Sequence, residues 1–167
     1  MTRRRPPRLG LSLYVGVQRY LLTICCEDRQ RRLSDSGTRA LILRELARTS
    51  GVHGFAIVAY CLMPDHLHAV VEGLRDDSDF FSFVRAFKQQ TAYAYKRRVG
   101  GRLWQSSFHD HALRGNESTQ AVVRYVLENP VRAKLAKSPC EYPYSGSLVY
   151  SKEEVVAWAF GSRSDLM

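Results

Sequence analysis

Acidic side chains, cysteine pairs and long apolar runs are what this sequence is short of. Its four cysteines, Cys25, Cys26, Cys61 and Cys140, have no metal-knuckle spacing and read as reduced thiols of a cytosolic chain. No apolar stretch approaches the roughly 18 residues of a bilayer span. The basic start "MTRRRPPRLG" is followed by no apolar region of signal-peptide length, so export is not expected. There is no internal repeat, and no low-complexity linker beyond the first ten residues. One domain with a buried core fits 167 residues with 45% apolar and 25% charged side chains.

The acid deficit carries information. Against 16 Asp and Glu stand 25 Lys and Arg, a net charge of +9. The isoelectric point is near 9.7. The excess is clustered: Arg3, Arg4, Arg5 and Arg8 at the start, "RQRR" at 29–32, and "KRRVGGR" at 96–102. Solvated surface charge is the plain alternative, but clusters at this isoelectric point favour a nucleic-acid partner. A membrane surface would need a basic amphipathic helix with spare apolar anchors, and none is present.

Along the chain, "YLLTICCE" (20–27) predicts a buried strand. "LSDSGTRALILRELARTSG" predicts a helix capped at Ser34 or Asp35 and stopped by Gly51. "GFAIVAYCLM" and "HLHAVVEGL" predict two strands joined by a Pro64-Asp65 turn. The 3.6-residue period of Phe80, Phe83, Val84, Phe87, Thr91 and Ala94 predicts a second helix. A fourth strand is expected over 102–115. "NESTQAVVRYVLENP" predicts a third helix, capped at Asn116 and ended by Pro130. In the tail, "YPYSGS" reads as a turn and "EEVVAWAF" as a short helix. The order implies an α+β fold of ferredoxin-like, split βαβ type, with an antiparallel sheet and one surplus helix free to cover the second sheet face. A basic arm over 1–19, a domain over 20–147 and a tail over 148–167 are the expected divisions.

In "CLMPDHLHAVVEG" strand alternation puts His66, His68, Val70 and Glu72 on one face, and Leu67, Ala69 and Val71 on the other. Two imidazoles on one face can converge on a metal ion, or can be a hydrogen-bonded pair and nothing more; the triplet alone leaves both open. The third helix carries an apolar stripe of Val122, Val123, Val126 and Leu127, interrupted by Tyr125, with Asn129 one turn later. Taken alone, Tyr125 reads as a packed phenol, and Asn129 equally as an end-of-helix amide. If that helix covers the histidine face, the four groups suit metal-assisted attack of a tyrosine on a phosphodiester. A cation offsets the charge that builds on the non-bridging oxygens and favours the phenolate.

"YCLMPDHLHAVVEG", "LWQSSFHDHALR" and "VVRYVLENPVRAKL" together resemble the single-tyrosine HUH transposases, and within them the REP-associated tyrosine transposase branch, over about residues 20–147. The resemblance implies His66 and His68 as metal ligands and Tyr125 as nucleophile. Asn129 falls where relatives carry a glutamine as third ligand, and Glu72 is a weaker substitute. It further implies Mg2+ or Mn2+, a 5′-phosphotyrosine link, single-stranded DNA with hairpin or palindromic repeats as partner, no membrane, and a cytoplasmic, nucleoid-associated monomer or homodimer. The expected DNA contacts are Arg3, Arg4, Arg5, Arg8, Lys88, Lys96, Arg97, Arg98 and Arg102 on phosphates, with Trp104 stacking on a base. His109 and His111 read more readily as edge or packing residues than as an added ligand or phosphate contact, and Tyr93 and Tyr95 rank below Tyr125 as nucleophiles. A domesticated hairpin-binding protein with an idle site, or a phosphodiesterase using water, are the competing readings.

Overall fold

The structure, a computed structural model, describes residues 14–161. Five strands form one antiparallel sheet in the order β4-β1-β3-β2-β5. In chain order the elements are β1 (Arg19–Cys25), α1 (Ser36–His53), β2 (Phe55–Met63), β3 (His66–Gly73), α2 (Phe80–Arg98), β4 (His109–Ala112), α3 (Thr119–Arg132), β5 (Ser145–Gly146) and α4 (Lys152–Phe160). The first six are the split βαβ plan, and its 4-1-3-2 strand order follows from the two helical crossovers.

Each sheet face has its own core. Leu67, Ala69 and Val71 of β3 pack with Tyr20, Leu22 and Ile24 of β1 under Ile42 and Leu46 of α1 and the phenylalanines of α2. The Tyr20 and Phe80 rings stack at 4.0 Å between centroids. On the opposite face Val70 of β3 meets Ala59, Cys61 and Met63 of β2 under Val123, Val126 and Leu127 of α3 and Val155 and Ala159 of α4. β2 can serve both cores because its register with β3 slips between Ile57 and Ala59. Val58 is the extra residue of a β-bulge, so Ile57 and Ala59, two apart, face opposite cores.

Four element boundaries depart from the sequence expectation. Helix α1 runs through Gly51 to His53, because Gly54 at φ 72° supplies the left-handed residue that ends it. Helix α3 is capped by Ser118, which accepts from the Ala121 N–H, and not by Asn116. It continues past Pro130 to Arg132. A proline removes one donor only, and the Ala133 N–H still reaches the Asn129 carbonyl at 3.0 Å. The expected fourth strand shrinks to His109–Ala112, since Leu103 and Trp104 turn into the α1/α2 core and Trp104 makes only an isolated bridge to Cys26. Within "YPYSGS", Ser145 and Gly146 pair with β2 as a fifth, edge strand. At the far end of β3, Gly73 abuts the Gly16 carbonyl so closely that a Cβ there would lie 2.1 Å from the oxygen. No helix among the described residues is long and apolar enough to cross a membrane.

Candidate active site

The hairpin turn places the first histidine. β3 begins at His66, directly after Asp65, and cross-strand pairing sets each imidazole between two same-face neighbours. His66 is flanked by Cys25 of β1 and Met63 of β2, and His68 by Thr23 and Cys61. The two rings meet edge to face at 4.6 Å between centroids. Both are largely withdrawn from water: His68 is 7% exposed, and the His66 side chain 13%.

Each ring has one nitrogen already committed. The His66 Nδ1 donates to Asp65 Oδ1 at 2.6 Å, and Asp65 Oδ2 accepts from Arg29 Nε at 2.9 Å. Burial works to raise the Asp65 carboxyl, but His66 and Arg29 hold it below its usual range, so it accepts only. That fixes the His66 tautomer and leaves the lone pair on Nε2. The His68 Nδ1 shares a hydrogen bond with Thr23 Oγ1 at 2.8 Å, a partner able to donate or accept. A cation at Nε2 would select the tautomer in which Nδ1 donates. Burial lowers both imidazoles, His66 against the opposing pull of Asp65. It takes His68 down to about 3, with His66, Arg132 and Arg29 adding to the effect. Both rings are therefore neutral at pH 7, the form in which imidazole ligates.

Helix α3 brings the phenol. Val123, Val126 and Leu127 are fully buried against the histidine face, which turns Tyr125 toward the edge of that contact at 39% exposure. Its ring lies 5.8 Å from that of His68, edge to face. The Arg132 guanidinium sits over the ring, 4.5 Å from its centroid. Asn129 turns back on its own helix: its Nδ2 donates to the Tyr125 carbonyl at 2.9 Å.

The donor set fits a divalent cation in part. Two imidazoles are presented together, and the Asn129 amide, whose Nδ2 is bonded to the Tyr125 carbonyl, is on the helix that covers them; no group of three or more His, Cys, Asp or Glu forms a metal cluster among the described residues. Glu72 is on the expected face but at the far end of β3, bound to Arg19 Nε at 2.9 Å, which takes it out of the ligand set. His109 lies opposite Thr23 on the histidine face, and His111 opposite Leu21; His111 is engaged by Glu117 at 2.6 Å. Two strand spacings, about 10 Å, separate the His109 backbone from that of His68.

The remaining expected contacts fall on the other side of the sheet. Arg3, Arg4, Arg5 and Arg8 lie outside the described residues. Lys88, Lys96 and Arg102, with Arg85, line a groove of about 560 Å3 between α2 and residues 101–108. The Lys88 Nζ donates to the carbonyls of Gln105, Ser106 and Ser107, so it holds that loop in place; burial and then Arg102 lower it to about 8. Arg97 reaches Tyr93 Oη at 3.2 Å, Arg98 pairs with Asp35 at 2.5 Å, and Arg102 with Glu27 at 3.1 Å. Trp104 corrects the stacking expectation: it is 4% exposed and its Nε1 donates to Thr91 Oγ1, so it is a core residue. Tyr95 is buried, and Tyr93 is exposed on α2, on the sheet face away from the histidines.

Thr23, Arg29, Asp65 and Arg132 are site residues that sequence reasoning missed. Asp65 has a local signal, its place directly before the first histidine. Arg132 has one too, two helical turns after Tyr125, but a helix read as stopping at Pro130 hides it. Thr23 and Arg29 are joined to the site only by strand register and a loop.

The chain is 29% identical over 118 residues to the REP-associated tyrosine transposase of Escherichia coli (strain K12), covering 70% of each. A Haemophilus influenzae protein carrying the same name provisionally is 24% identical over 159 residues, 88% of this chain and 89% of that one. In fold, the chain matches the structure of a REP-associated tyrosine transposase bound to a REP hairpin at a TM-score of 0.70, with 23% identity, over 87% of this chain and 82% of that one. The model of the family described as "Transposase IS200 like" matches residues 15–129, from just before β1 to the turn of α3 that holds Asn129. A match that includes the histidine pair, the tyrosine and the sheet between them makes this chain a member of the IS200-like transposase family.

Proposed function

We propose that the chain cuts and rejoins single-stranded DNA bearing hairpin or palindromic repeats, with Tyr125 as the nucleophile. One observation carries the reading: the Tyr125 ring stands edge-on to His68, 5.8 Å between centroids, where two neutral imidazoles meet. Membership in a transposase family supports DNA as the substrate, and the likeness to REP-associated tyrosine transposases supports a palindromic hairpin. In the reaction, Tyr125 Oη bonds to phosphorus and the bond from phosphorus to the 3′ oxygen breaks. The phenolic proton leaves to solvent, and the 3′ oxygen takes one up. The resulting 5′-phosphotyrosine conserves the ester, so a 3′ hydroxyl can attack it and restore a continuous strand.

His66 and His68, with Asn129 as third donor, would hold Mg2+ or Mn2+, which supplies charge neutralisation at the non-bridging oxygens. Two imidazoles favour Mn2+ over the harder Mg2+. Thr23 and Asp65 orient the rings. Lys96 and Arg102 contribute phosphate contacts away from the site, and the arginines of the N-terminal arm add further phosphate contacts. The chain acts as a monomer or homodimer in the cytoplasm, on the nucleoid.

Incubation with single-stranded hairpin oligonucleotides and Mn2+ tests this on a denaturing gel. The wild-type chain forms a covalent protein–DNA adduct, and Tyr125→Phe lowers its yield at least about 1,000-fold. Undiminished adduct in Tyr125→Phe overturns the assignment, and cleavage without any adduct in the wild type makes water the nucleophile. A second reading, an idle hairpin-binding protein, draws support from the Asn129 amide bonded to its own helix. Tight hairpin binding with no cleavage in Mn2+ would establish it.

A further inference from the structure

Among the described residues, Arg132 is the one basic side chain stacked on the Tyr125 ring. It extends back along α3 from two turns beyond and places its guanidinium 4.5 Å from the ring centroid. Its commitments differ from those of the other cation at this end of the sheet. Arg29 is bound to Asp65 and to Cys25 Sγ. Among the described residues no carboxylate lies within salt-bridge distance of Arg132, and its backbone position is exposed on the last turn of the helix. Arginine of that kind usually takes water or a nearby acid. Here it is held against an aromatic face, an arrangement that leaves the N–H edge of the guanidinium open.

We propose that Arg132 is a catalytic residue: its guanidinium binds the non-bridging oxygens of the scissile phosphate while the cation–π contact keeps Tyr125 Oη aimed at phosphorus. The proposal rests on Tyr125 being the nucleophile and adds a substrate contact to that reading. Three features support it. The guanidinium fork matches a phosphodiester's two non-bridging oxygens, and an arginine keeps its charge at any working pH. The guanidinium lies over the exposed Tyr125 ring, which itself stands edge-on to His68, so it is on the flank where a phosphate approaching that phenol would lie. The continuation of α3 through Pro130 is what carries Arg132 back onto the same flank as Tyr125, seven residues apart, two turns on one face.

The test uses the full chain and the hairpin oligonucleotide that yields the adduct with Mn2+, with a neutral methylphosphonate introduced at the mapped cleavage position. Single-turnover adduct formation is expected to slow about 10–100-fold in Arg132→Ala, with partial recovery in Arg132→Lys, which keeps the charge and loses the fork. In the Tyr125→Phe background, which cannot react, the methylphosphonate is expected to weaken binding several-fold. The same substitution is expected to cost clearly less in Tyr125→Phe/Arg132→Ala, where the arginine share of the contact is gone and only that of any bound metal remains. Circular-dichroism melting checks folding, and an exposed side chain should leave the melting temperature within a degree or two. A wild-type chain that never forms the adduct overturns both the nucleophile and this role. Adduct formation that is unchanged in Arg132→Ala, or a methylphosphonate penalty equal with and without Arg132, overturns this role alone.

Discussion

Asp65 divides its two carboxylate oxygens between His66 Nδ1, at 2.6 Å, and Arg29 Nε, at 2.9 Å. Asp65→Asn would replace an obligate acceptor with an amide that can present either end, and His66 would lose its fixed tautomer. We expect Mn2+ affinity to fall about 10–100-fold, read by isothermal titration calorimetry on the full chain. An unchanged affinity would mean that His66 ligates without its carboxylate, or not at all. At this scale the sequence is legible where periodicity is the signal. Alternation puts His66 and His68 on one face and Leu67, Ala69 and Val71 on the other, as the two cores show. It is silent where partners come from distant strands: Thr23 meets His68 only because β1 pairs with β3 in one particular register. Trp104 misleads for the opposite reason, since composition cannot tell an aromatic that stacks on a ligand from one that donates to a buried Thr91.

Helix α3 is the element on which the site depends, because its packing on the sheet brings Tyr125 to the ring of His68. Leu127 is fully buried in that contact. Leu127→Ala should destabilise the fold by about 2–5 kcal/mol and lower the melting temperature by roughly 5–15 °C in thermal unfolding. A shift below a degree would show that α3 docks by other means. The strands of the β2/β3 hairpin and the bodies of the three longest helices are readable from apolar patterns and turn residues. Their ends are less so. A left-handed residue at Gly54, and not Gly51, stops α1, and Pro130 costs α3 a single hydrogen bond too near its end to stop it. The edge strands β4 and β5 are hard to read as such because four- and two-residue pairings leave almost no pattern in sequence.

At the scale of the molecule, charge and chemistry occupy different sides of one sheet. The basic groove with Arg85, Lys88, Lys96 and Arg102 lies beside α2, whereas the histidines lie on the face covered by α3, which carries Tyr125. On the proposed function this groove would act as a phosphate-binding track, separate from Arg29 and Arg132 at the histidine site. For Lys96→Ala/Arg102→Ala we expect weaker binding to all single-stranded DNA alike. The plot of log affinity against log salt should flatten by about 0.7 for each phosphate no longer neutralised, measured by fluorescence anisotropy at several salt concentrations. A slope identical to that of the wild type would remove both residues from the track. The split βαβ order and the placement of a surplus helix on the second face are legible because they follow from element order alone. The position of the groove is not, since it depends on how residues 101–108 fold back on α2.

Val58, the extra residue of β2, acts as a half-period phase step in the sheet. Upstream of it, odd-numbered side chains such as Phe55 and Ile57 serve the face under α1 and α2; downstream, Ala59, Cys61 and Met63 serve the histidine face. Losing Val58 itself would leave both sets where they are. Adding a residue after Ala59 instead would exchange the sets beyond that point, bringing larger Tyr60 and Leu62 side chains against the imidazoles and sending Cys61 into the opposite core. The walls of the site are thus written in the counting of one strand, and a single added residue can rewrite them without touching a histidine.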